Sequence, residues 1–496
     1  MKRKRAITGV SRHASRNWLV RVRREIFYQI ASMSFETFLV WLLNTFRRYR
    51  SAEPRRGDLV LGVSADRHSA NPFVILPAAL RPQHLGILGL SGSGKTYFIE
   101  RLIRQDIQNR TGFVVFDVHG DLADNIIGYL AERASIHPEI YDRTVILEPF
   151  DPDRSFGFNP LERVPDTSPF FQAQEFAYML RQRWNAEQFS PRVEELLRNS
   201  FYTLSANHET LLRLPDLLTQ KPFRDALIRN LESTEIRKFW TDRFDALSAK
   251  MQAVYREPIL SRLSSFLTDP QSRDIVGQAS TFSFREAMRN GHWIVVNLSK
   301  GRLGENSTML GSLLFTKLEL DIMSLASVPE KDRALFSVYA DEIQNLAGDS
   351  FGRLIAEARK YRVALIAGHQ FWKQLDVSLR QSMLAVGSKV LFRLHYHDAV
   401  ELAGELAASE KNRYLRQLTV LGRGEGVARI GSRSPILFTV PAHKQPKPTA
   451  EELRLLKTRS AERYTRSRHE IHAAKLNEGP LRSEVAAHRK LQQIKK

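Results

Sequence analysis

Short apolar runs, separated by turns and helical segments, begin near Leu59 and predict the strands of a central sheet. The most continuous runs lie at residues 84–89, 113–117, 145–147, 292–298, 335–340, 363–367 and 389–394. Apolar strands that alternate with helices predict a mainly parallel sheet that is buried on both faces. Residues 426–430 and 435–440 predict a final hairpin with Gly431 and Ser432 in its turn.

The pattern changes between residues 166 and 289, where apolar positions recur at helical spacing. Helices are predicted near residues 171–184, 193–204, 224–231, 236–247 and 259–267. We therefore interpret 166–289 as an all-α insertion in an α/β nucleotide-binding domain. The two parts of that domain are residues 57–165 and 290–443. A basic N-terminal region at 1–56 and a basic C-terminal tail at 444–496 flank it, and residues 450–496 are predicted to be charged helix or disorder.

The formal net charge of +20 indicates a polyanionic partner, either nucleic acid or an anionic membrane surface. The excess lies at the two ends of the chain. Residues 1–56 carry 14 Lys and Arg against 3 Asp and Glu, and residues 444–496 carry 14 against 6. Both interpretations of these ends stay open: solvated tails, or tails that bind phosphate groups. The sequence contains no cysteine, which excludes disulfides, thiolate catalysis and cysteine-based zinc sites and fits a cytoplasmic protein.

Residues 26–46 are rich in large apolar side chains and are flanked by arginines on both sides. Their length would suffice for one membrane-spanning helix. Glu36 lies near the middle of the segment, where a carboxylate is costly, and basic flanks suit a helix in the membrane interface. We favour an interfacial or protein-packed helix over a span. This places the protein in the cytoplasm or at the cytoplasmic face of the inner membrane, with residues 1–56 as the candidate contact.

One segment matches the phosphate-binding loop G-x-x-x-x-G-K-[ST] in full and lies between an apolar strand and a predicted helix. Glycines let backbone N–H groups turn toward phosphate oxygens, and the helix start adds its positive dipole end. Lys95 is expected to reach the β- and γ-phosphates of ATP, and Thr96 to offer its hydroxyl to Mg²⁺. The residues predicted to bind nucleotide are Gly89, Ser91, Gly92, Ser93, Gly94, Lys95 and Thr96.

An acid pair follows the apolar run at 335–340 and supplies the second half of an ATPase site. Asp341 is expected to hold the Mg²⁺ shell, and Glu342 to polarise the attacking water. The pair therefore predicts hydrolysis as well as binding. Gln370, after the next strand, has the position to sense the γ-phosphate, although a polar residue that caps a strand would look the same.

With these motifs the chain resembles the HerA–FtsK class of DNA pumps, and within it the type IV secretion coupling proteins of the TraD/TraG kind. Further motifs of that family occur here in the same order. They are Asp-Val-His-Gly-Asp at 117–121, Phe-Asn-Pro-Leu at 158–161, Asp-Glu-Ile-Gln-Asn at 341–345, Glu-Ala-Arg-Lys-Tyr at 357–361 and His-Gln at 369–370. The resemblance covers about residues 58–441.

The resemblance implies a RecA-like P-loop ATPase that works as a hexameric ring with DNA, single- or double-stranded, in its channel. It implies that Gln370 is the γ-phosphate sensor and that Arg359 reaches the nucleotide of the neighbouring subunit, where such an arginine stabilises transition-state charge. It also implies partners among relaxosome or secretion-channel proteins. Asp117 and Asp121 form either a structural turn or part of the catalytic site.

The favoured function is an ATP-driven DNA translocase or coupling ATPase in conjugative or mobile-element DNA transfer. Coupling proteins usually carry two spanning helices, whereas residues 26–46 offer at most one. Three alternatives therefore stay open. They are a HerA-like translocase in DNA repair or defence, a nucleotide-switched scaffold that recruits a DNA–protein complex, and a membrane-surface ATPase.

Overall fold

The computed structural model describes residues 54–66, 71–184, 190–348 and 351–477, and a sheet of eleven strands forms its centre. The strands of these residues, in chain order, are β1 Leu59–Ser64, β2 Phe73–Leu76, β3 Leu85–Leu88, β4 Gly112–Asp117, β5 Thr144–Leu147, β6 Arg154–Ser155, β7 Trp293–Asn297, β8 Phe336–Ala340, β9 Val363–His369, β10 Ser388–Leu391, β11 Glu425–Ile430, β12 Ile436–Thr439 and β13 Arg466–Ser467. Strands β6 and β13 pair with each other in a separate small sheet.

The strand order of the large sheet is β2-β1-β12-β11-β10-β3-β9-β8-β4-β7-β5. The seven strands from β10 to β5 run parallel, and they coincide with the seven apolar runs of the sequence. β11 and β12 form the predicted hairpin, and β1 and β2 extend that end of the sheet in antiparallel fashion. The prediction of an α/β fold with a mainly parallel central sheet is confirmed.

Helices cover both faces of the sheet and make up the insertion. In chain order they are α1 Lys95–Asn109, α2 Asp121–Ala134, α3 Glu139–Arg143, α4 Pro169–Arg183, α5 Pro191–Ala206, α6 Leu214–Thr219, α7 Lys221–Arg229, α8 Thr234–Lys238, α9 Ala249–Thr268, α10 Pro270–Val276, α11 Phe284–Asn290, α12 Lys300–Leu303, α13 Asn306–Ser324, α14 Phe351–Ala358, α15 Val377–Ala385, α16 Tyr396–Leu406, α17 Lys411–Val420, α18 Ala450–Tyr464 and α19 Arg468–Asn477.

Strand β4 shows how the sheet separates two cores. Its side chains alternate between the faces, as strand geometry requires. Phe113 and Val115 join the core that contains α1, whereas Val114 and Phe116 join the core on the opposite face. On that second face the ring of Phe116 meets Phe315 of α13 edge-on, with 5.7 Å between ring centroids. Burial on both faces explains why the strand is apolar at every position except its last.

The insertion consists of α4 to α11 in the described residues, as the helical periodicity predicts. Its helices begin at clear sequence signals. Ser168 and Ser190 cap α4 and α5 with their side chains, and a proline occupies the first helical position after each. Trp240 is fully buried in the insertion, and its indole N–H donates to Thr203 Oγ1 at 2.9 Å. Its core is continuous with the one beneath the sheet.

The C-terminal segment is docked on the domain as far as residue 477. A capping box of Thr449 and Glu452 starts α18, which packs along α2 and over β5, the edge strand of the sheet. The Ile146 N–H donates to Ser460 Oγ at 2.8 Å, so part of this strand edge is paired. Arg468 of α19 then binds Asp274, at the base of the insertion, at 2.7 Å. Of the two predicted alternatives for this segment, helix applies to 450–464 and 468–477.

Two sequence predictions fall on residues outside the described ranges. The first concerns residues 1–53, which include the apolar segment 26–46, and the second concerns residues 478–496. Within the described ranges, every helix is too short or too polar to cross a bilayer.

Candidate nucleotide-binding and hydrolysis site

The phosphate-binding loop joins the buried strand β3 to α1, as the motif requires. Gly92 and Gly94 adopt left-handed backbone conformations, with φ of 75° and 103°, which glycine accepts without strain. At Gly89 a β-carbon would lie 2.5 Å from Ser93 Oγ and 2.8 Å from Phe392 Cβ. Only glycine therefore fits at the start of the loop, and the loop leads directly into the N-terminus of α1, which favours anions.

Neighbouring strands hold the loop from outside. The Gly89 N–H donates to the carbonyl of His369 at the end of β9, and the Leu90 N–H donates to that of Arg393 after β10. On the far side, the Gly424 N–H donates to the Ser93 carbonyl at 2.9 Å. The cradle is therefore shaped by the fold itself, which lowers the cost of ordering it around a phosphate.

The acid pair of β8 faces the phosphate-binding loop across β9. Lys95 Nζ donates to Asp341 Oδ1 and to Glu342 Oε1, the second contact at 2.9 Å. Thr96 Oγ1 donates to Asp341 Oδ2 at 2.7 Å. Lys95, Asp341 and Glu342 are all at least 95% buried. The two halves of the predicted ATPase site therefore form one cluster of buried charges.

The charges of this cluster sustain one another. Burial alone would lower the pKa of Lys95, but Asp341 and Glu342 raise it above its usual value. Burial alone would raise the pKa of Glu342, but Lys95, together with hydrogen bonds from Gln344 and Gln370, lowers it. At neutral pH the ammonium group and the Glu342 carboxylate are both ionised.

Glu342 is held in a constrained position. Its φ of 65° and ψ of 60° are left-handed, a region that non-glycine residues adopt at a cost of about 1–3 kcal/mol. Its Oε2 accepts from Gln344 Nε2 at 2.8 Å and its Oε1 from Gln370 Nε2 at 2.5 Å. Strain of this kind persists where surrounding contacts determine the conformation. Here the amides of Gln344 and Gln370 and the ammonium group of Lys95 fix the orientation of the carboxylate.

His369 and Gln344, which were not among the predicted site residues, extend this network. His369 Nδ1 lies 3.1 Å from Gln344 Oε1. Burial lowers the pKa of His369 to about 4, so the ring is neutral at physiological pH. Both residues belong to motifs quoted for the family resemblance, which is the signal that could have identified them.

Asp117 makes structural contacts in the turn at 117–121. Its carboxylate accepts from the backbone N–H groups of His119, Gly120 and Ala123, each at 2.9 Å. Burial raises the pKa of Asp117, and the charge of Asp341 adds to this, although the three N–H groups oppose it. Asp121 is exposed at the start of α2. Of the two alternatives for Asp117, these contacts favour the turn.

Arg359 is not part of this cluster in its own chain. It is exposed in a short 3₁₀ turn that precedes β9, whereas Gln370 follows the far end of that strand. The seven residues of β9 therefore lie between Arg359, near the amino end of the strand, and Gln370, at its carboxyl end, a distance of about 20 Å. The structure thus unites Lys95, Thr96, Asp341, Glu342 and Gln370 in one cluster, and it places Arg359 on the opposite edge.

The residues present fit a magnesium nucleotide. Thr96 Oγ1 and Asp341 Oδ2 offer neighbouring oxygen donors beside the loop, and Mg²⁺ in phosphate sites takes one or two protein oxygens plus phosphate oxygens and water. When bound, the ion would neutralise charge on the phosphates. In the described part of the chain, no group of three or more His, Cys, Asp or Glu side chains is placed to hold a metal ion.

Fold and site together define a RecA-like P-loop ATPase. The chain matches the family model described as "Type IV secretion-system coupling protein DNA-binding domain" over residues 70–398, and it belongs to that family. The predicted membership of the type IV secretion coupling proteins is therefore confirmed.

Solved structures agree with this assignment at the level of the fold. The bacterial conjugative coupling protein TrwBdeltaN70, in its unbound form, has 18% sequence identity and a TM-score of 0.58, with 82% of this chain and 93% of that one covered. TrwB with the ATP analogue ADPNP has 19% identity, coverage of 81% and 93%, and a TM-score of 0.58. TrwB with ADP and Mg²⁺ has 18% identity, coverage of 81% and 93%, and a TM-score of 0.57. The search of curated proteins found no match.

Proposed function

We propose that this protein hydrolyses ATP at the cluster between β3 and β8 and uses the energy to move DNA. The observation that carries the proposal is the contact of Lys95 with both Asp341 and Glu342, residues far apart in sequence. A lysine, a hydroxyl and two carboxylates at the carboxyl ends of two parallel strands, with β9 between them, are what phosphoryl transfer to water requires. The family model, which is described as a DNA-binding domain, supports DNA as the partner that is moved.

Each residue of the cluster then has a role in hydrolysis. The backbone N–H groups of the phosphate-binding loop hold the phosphates, and Lys95 contacts the β- and γ-phosphates. Thr96 and Asp341 hold Mg²⁺, and Glu342 accepts a proton from the attacking water. Gln370 releases Glu342 and donates to the γ-phosphate, so its position reports whether that phosphate is present.

We further propose that the working form is a hexameric ring in which Arg359 completes the site of the neighbouring subunit. The exposure of Arg359 at the edge opposite its own phosphate-binding loop supports this, because a guanidinium there is accessible to another chain. DNA would run through the ring, and the basic ends at 1–56 and 444–496 would contact phosphates. Relaxosome or secretion-channel proteins would be further partners.

The basic N-terminal region would keep the protein at the cytoplasmic face of the inner membrane. Arginines on both sides of residues 26–46 support this proposal. Replacement of Arg47, Arg48 and Arg50 by serine should weaken co-sedimentation with anionic vesicles and leave DNA-stimulated hydrolysis intact. Equal sedimentation of both proteins would contradict the contact.

The Glu342→Gln variant tests the motor directly. The wild-type protein should hydrolyse ATP faster when single- or double-stranded DNA is added. The variant should bind ATP normally but turn it over about a thousandfold more slowly, because the general base is lost. Steady-state phosphate release and filter binding of labelled ATP measure the two properties on the same samples.

A nucleotide-switched scaffold predicts a different outcome. If Glu342→Gln still supported DNA transfer in cells while trapping ATP, turnover would be dispensable and the motor proposal would be wrong. Wild-type hydrolysis that ignores DNA in an assembled sample would also contradict it. Glu132→Gln, the same substitution at an exposed position of α2, should leave both properties unchanged.

Subunit mixing tests Arg359. Arg359→Ala should bind ATP normally and hydrolyse it about a thousandfold more slowly, because transition-state charge loses its partner. Lys95→Ala should bind ATP poorly. When the two inactive variants are mixed, sites that combine an intact Lys95 with a neighbour's intact Arg359 should regain measurable turnover.

The neighbouring Lys360 provides a matched control, because it is exposed in the same turn. Lys360→Ala should retain wild-type turnover. Mixed assemblies that stay inactive, although mass measurement shows that both variants have entered the same ring, would refute the role of Arg359 in the neighbouring site.

A further inference from the structure

An aromatic pair lies immediately beside the phosphate-binding loop. Tyr97 directly follows Thr96 in the first turn of α1, and its ring stacks on that of His443. The ring centroids are 3.9 Å apart and the planes differ by 10°. Both side chains are partly exposed.

The pair is held rigidly. The Tyr97 hydroxyl accepts from the His443 backbone N–H at 2.5 Å and donates to the His443 carbonyl at 3.2 Å. One turn further along α1, Glu100 is buried, and its Oε1 lies 3.1 Å from His443 Nε2. Arg104 pairs with the same carboxylate from the next turn. Both rings are therefore fixed to α1 before any ligand binds.

Strand order determines which side of the loop each part of a nucleotide occupies. β3 lies between β9 and β10. Gln370 and the acid pair are on the β9 side, together with β8, so the γ-phosphate and the ion belong on that side. The nucleoside must then leave the loop on the other side, toward β10, β11 and β12.

The aromatic pair occupies that other side. The Gly424 N–H, just before β11, donates to the Ser93 carbonyl, and a β-carbon at Gly94 would lie 3.2 Å from Gly424 N. The Val440 N–H donates to the Gly424 carbonyl at 2.8 Å, three residues before His443. The segment that carries His443 is thus tied to the rim of the phosphate-binding loop opposite the acids.

From this placement we infer that Tyr97 and His443 form the subsite on which the nucleobase stacks. The inference rests on the proposed phosphate site and adds the base to it. A stacking surface recognises the area of a flat ring and not a pattern of hydrogen bonds, so it favours purines over pyrimidines and treats ATP and GTP alike. Tyr97 and His443 are positioning and specificity residues, outside the reacting atoms.

Binding measurements on the full chain separate the base from the phosphates. The probes are MgATP, MgGTP, MgUTP and magnesium tripolyphosphate, which has the phosphates alone, and the dissociation constants are measured by calorimetry. Tyr97→Leu should weaken MgATP and MgGTP about tenfold each. The same variant should leave tripolyphosphate unchanged and reduce the preference for purines over MgUTP.

Tyr97→Phe is the matched control, because it keeps the ring and removes the hydroxyl. It should retain most of the MgATP affinity. His443→Leu removes the second ring from a different part of the chain, so it provides the same test if Tyr97→Leu does not fold. It should also weaken MgATP and spare tripolyphosphate.

Two outcomes would overturn the inference. If the leucine variants weakened MgATP and tripolyphosphate equally, the pair would support the loop and not the base. If they changed neither ligand, the base would bind elsewhere. The Lys95→Ala variant tests the proposed phosphate site separately from the base subsite. If this variant bound tripolyphosphate as well as the wild type does, the phosphate site would be wrongly assigned, whatever the result for the leucine variants.

Discussion

A buried ammonium group shared between two buried carboxylates is the constraint on which this structure depends. Lys95 and its two acids are 246 and 247 residues apart in sequence, yet Nζ bonds to both. Removing Lys95 would leave two buried carboxylates without their cation, at a cost of about 3–5 kcal/mol. The strand order β3-β9-β8 and the tight loop before α1 serve to bring these three charges together.

The strand between them must leave room for this contact. A β-carbon at Gly368 of β9 would lie 2.9 Å from Asp341 Oδ1 and 3.0 Å from Ile99 Cδ1. Glycine therefore lets β9 pass between the phosphate-binding loop and the acids. Directly after it, His369 and Gln370 contribute to the network around Glu342, so one strand both separates the two halves of the site and connects them.

The same contact defines how a nucleotide must enter. A triphosphate takes the ammonium away from the acids, and the acids then need another cation. Mg²⁺ would provide it, because Asp341 and Thr96 are oxygen donors side by side. In this exchange, phosphate would take the place of the acids beside Lys95, and the ion would take the place of Lys95 beside the acids. Every buried charge would then keep a partner. The insertion and the C-terminal helices lie outside this exchange.

Local patterns predicted most of the fold and the centre of the site. Short motifs of a few residues identify the apolar strands, the glycine loop and the acid pair. Burial on two faces and phosphate binding each require particular residue types at short spacing. β1 and β2 were not predicted because they lie at the antiparallel edge of the sheet, where Phe73 is exposed and β1 has an irregular register near Gly62.

What the sequence could not predict depends on contacts between distant segments. The left-handed backbone of Glu342, its bonds to Gln344 and Gln370, and the docking of α18 on β5 arise only when the sheet is assembled. The stack of Tyr97 on His443 joins residues 346 positions apart. The position of Arg359 also emerges only from the assembled sheet, which places it at the end of β9 opposite the phosphate-binding loop of its own chain.

Magnesium dependence of nucleotide binding tests the central claim most directly. The affinity for ATP should be measured by calorimetry on the full chain, first in excess Mg²⁺ and then in EDTA. If the ion replaces Lys95 as the cation beside Asp341, ATP should bind at least about tenfold more weakly in EDTA, because this buried carboxylate then loses its partner. Equal affinity in both conditions would show that the acids do not depend on that charge, and it would contradict the exchange.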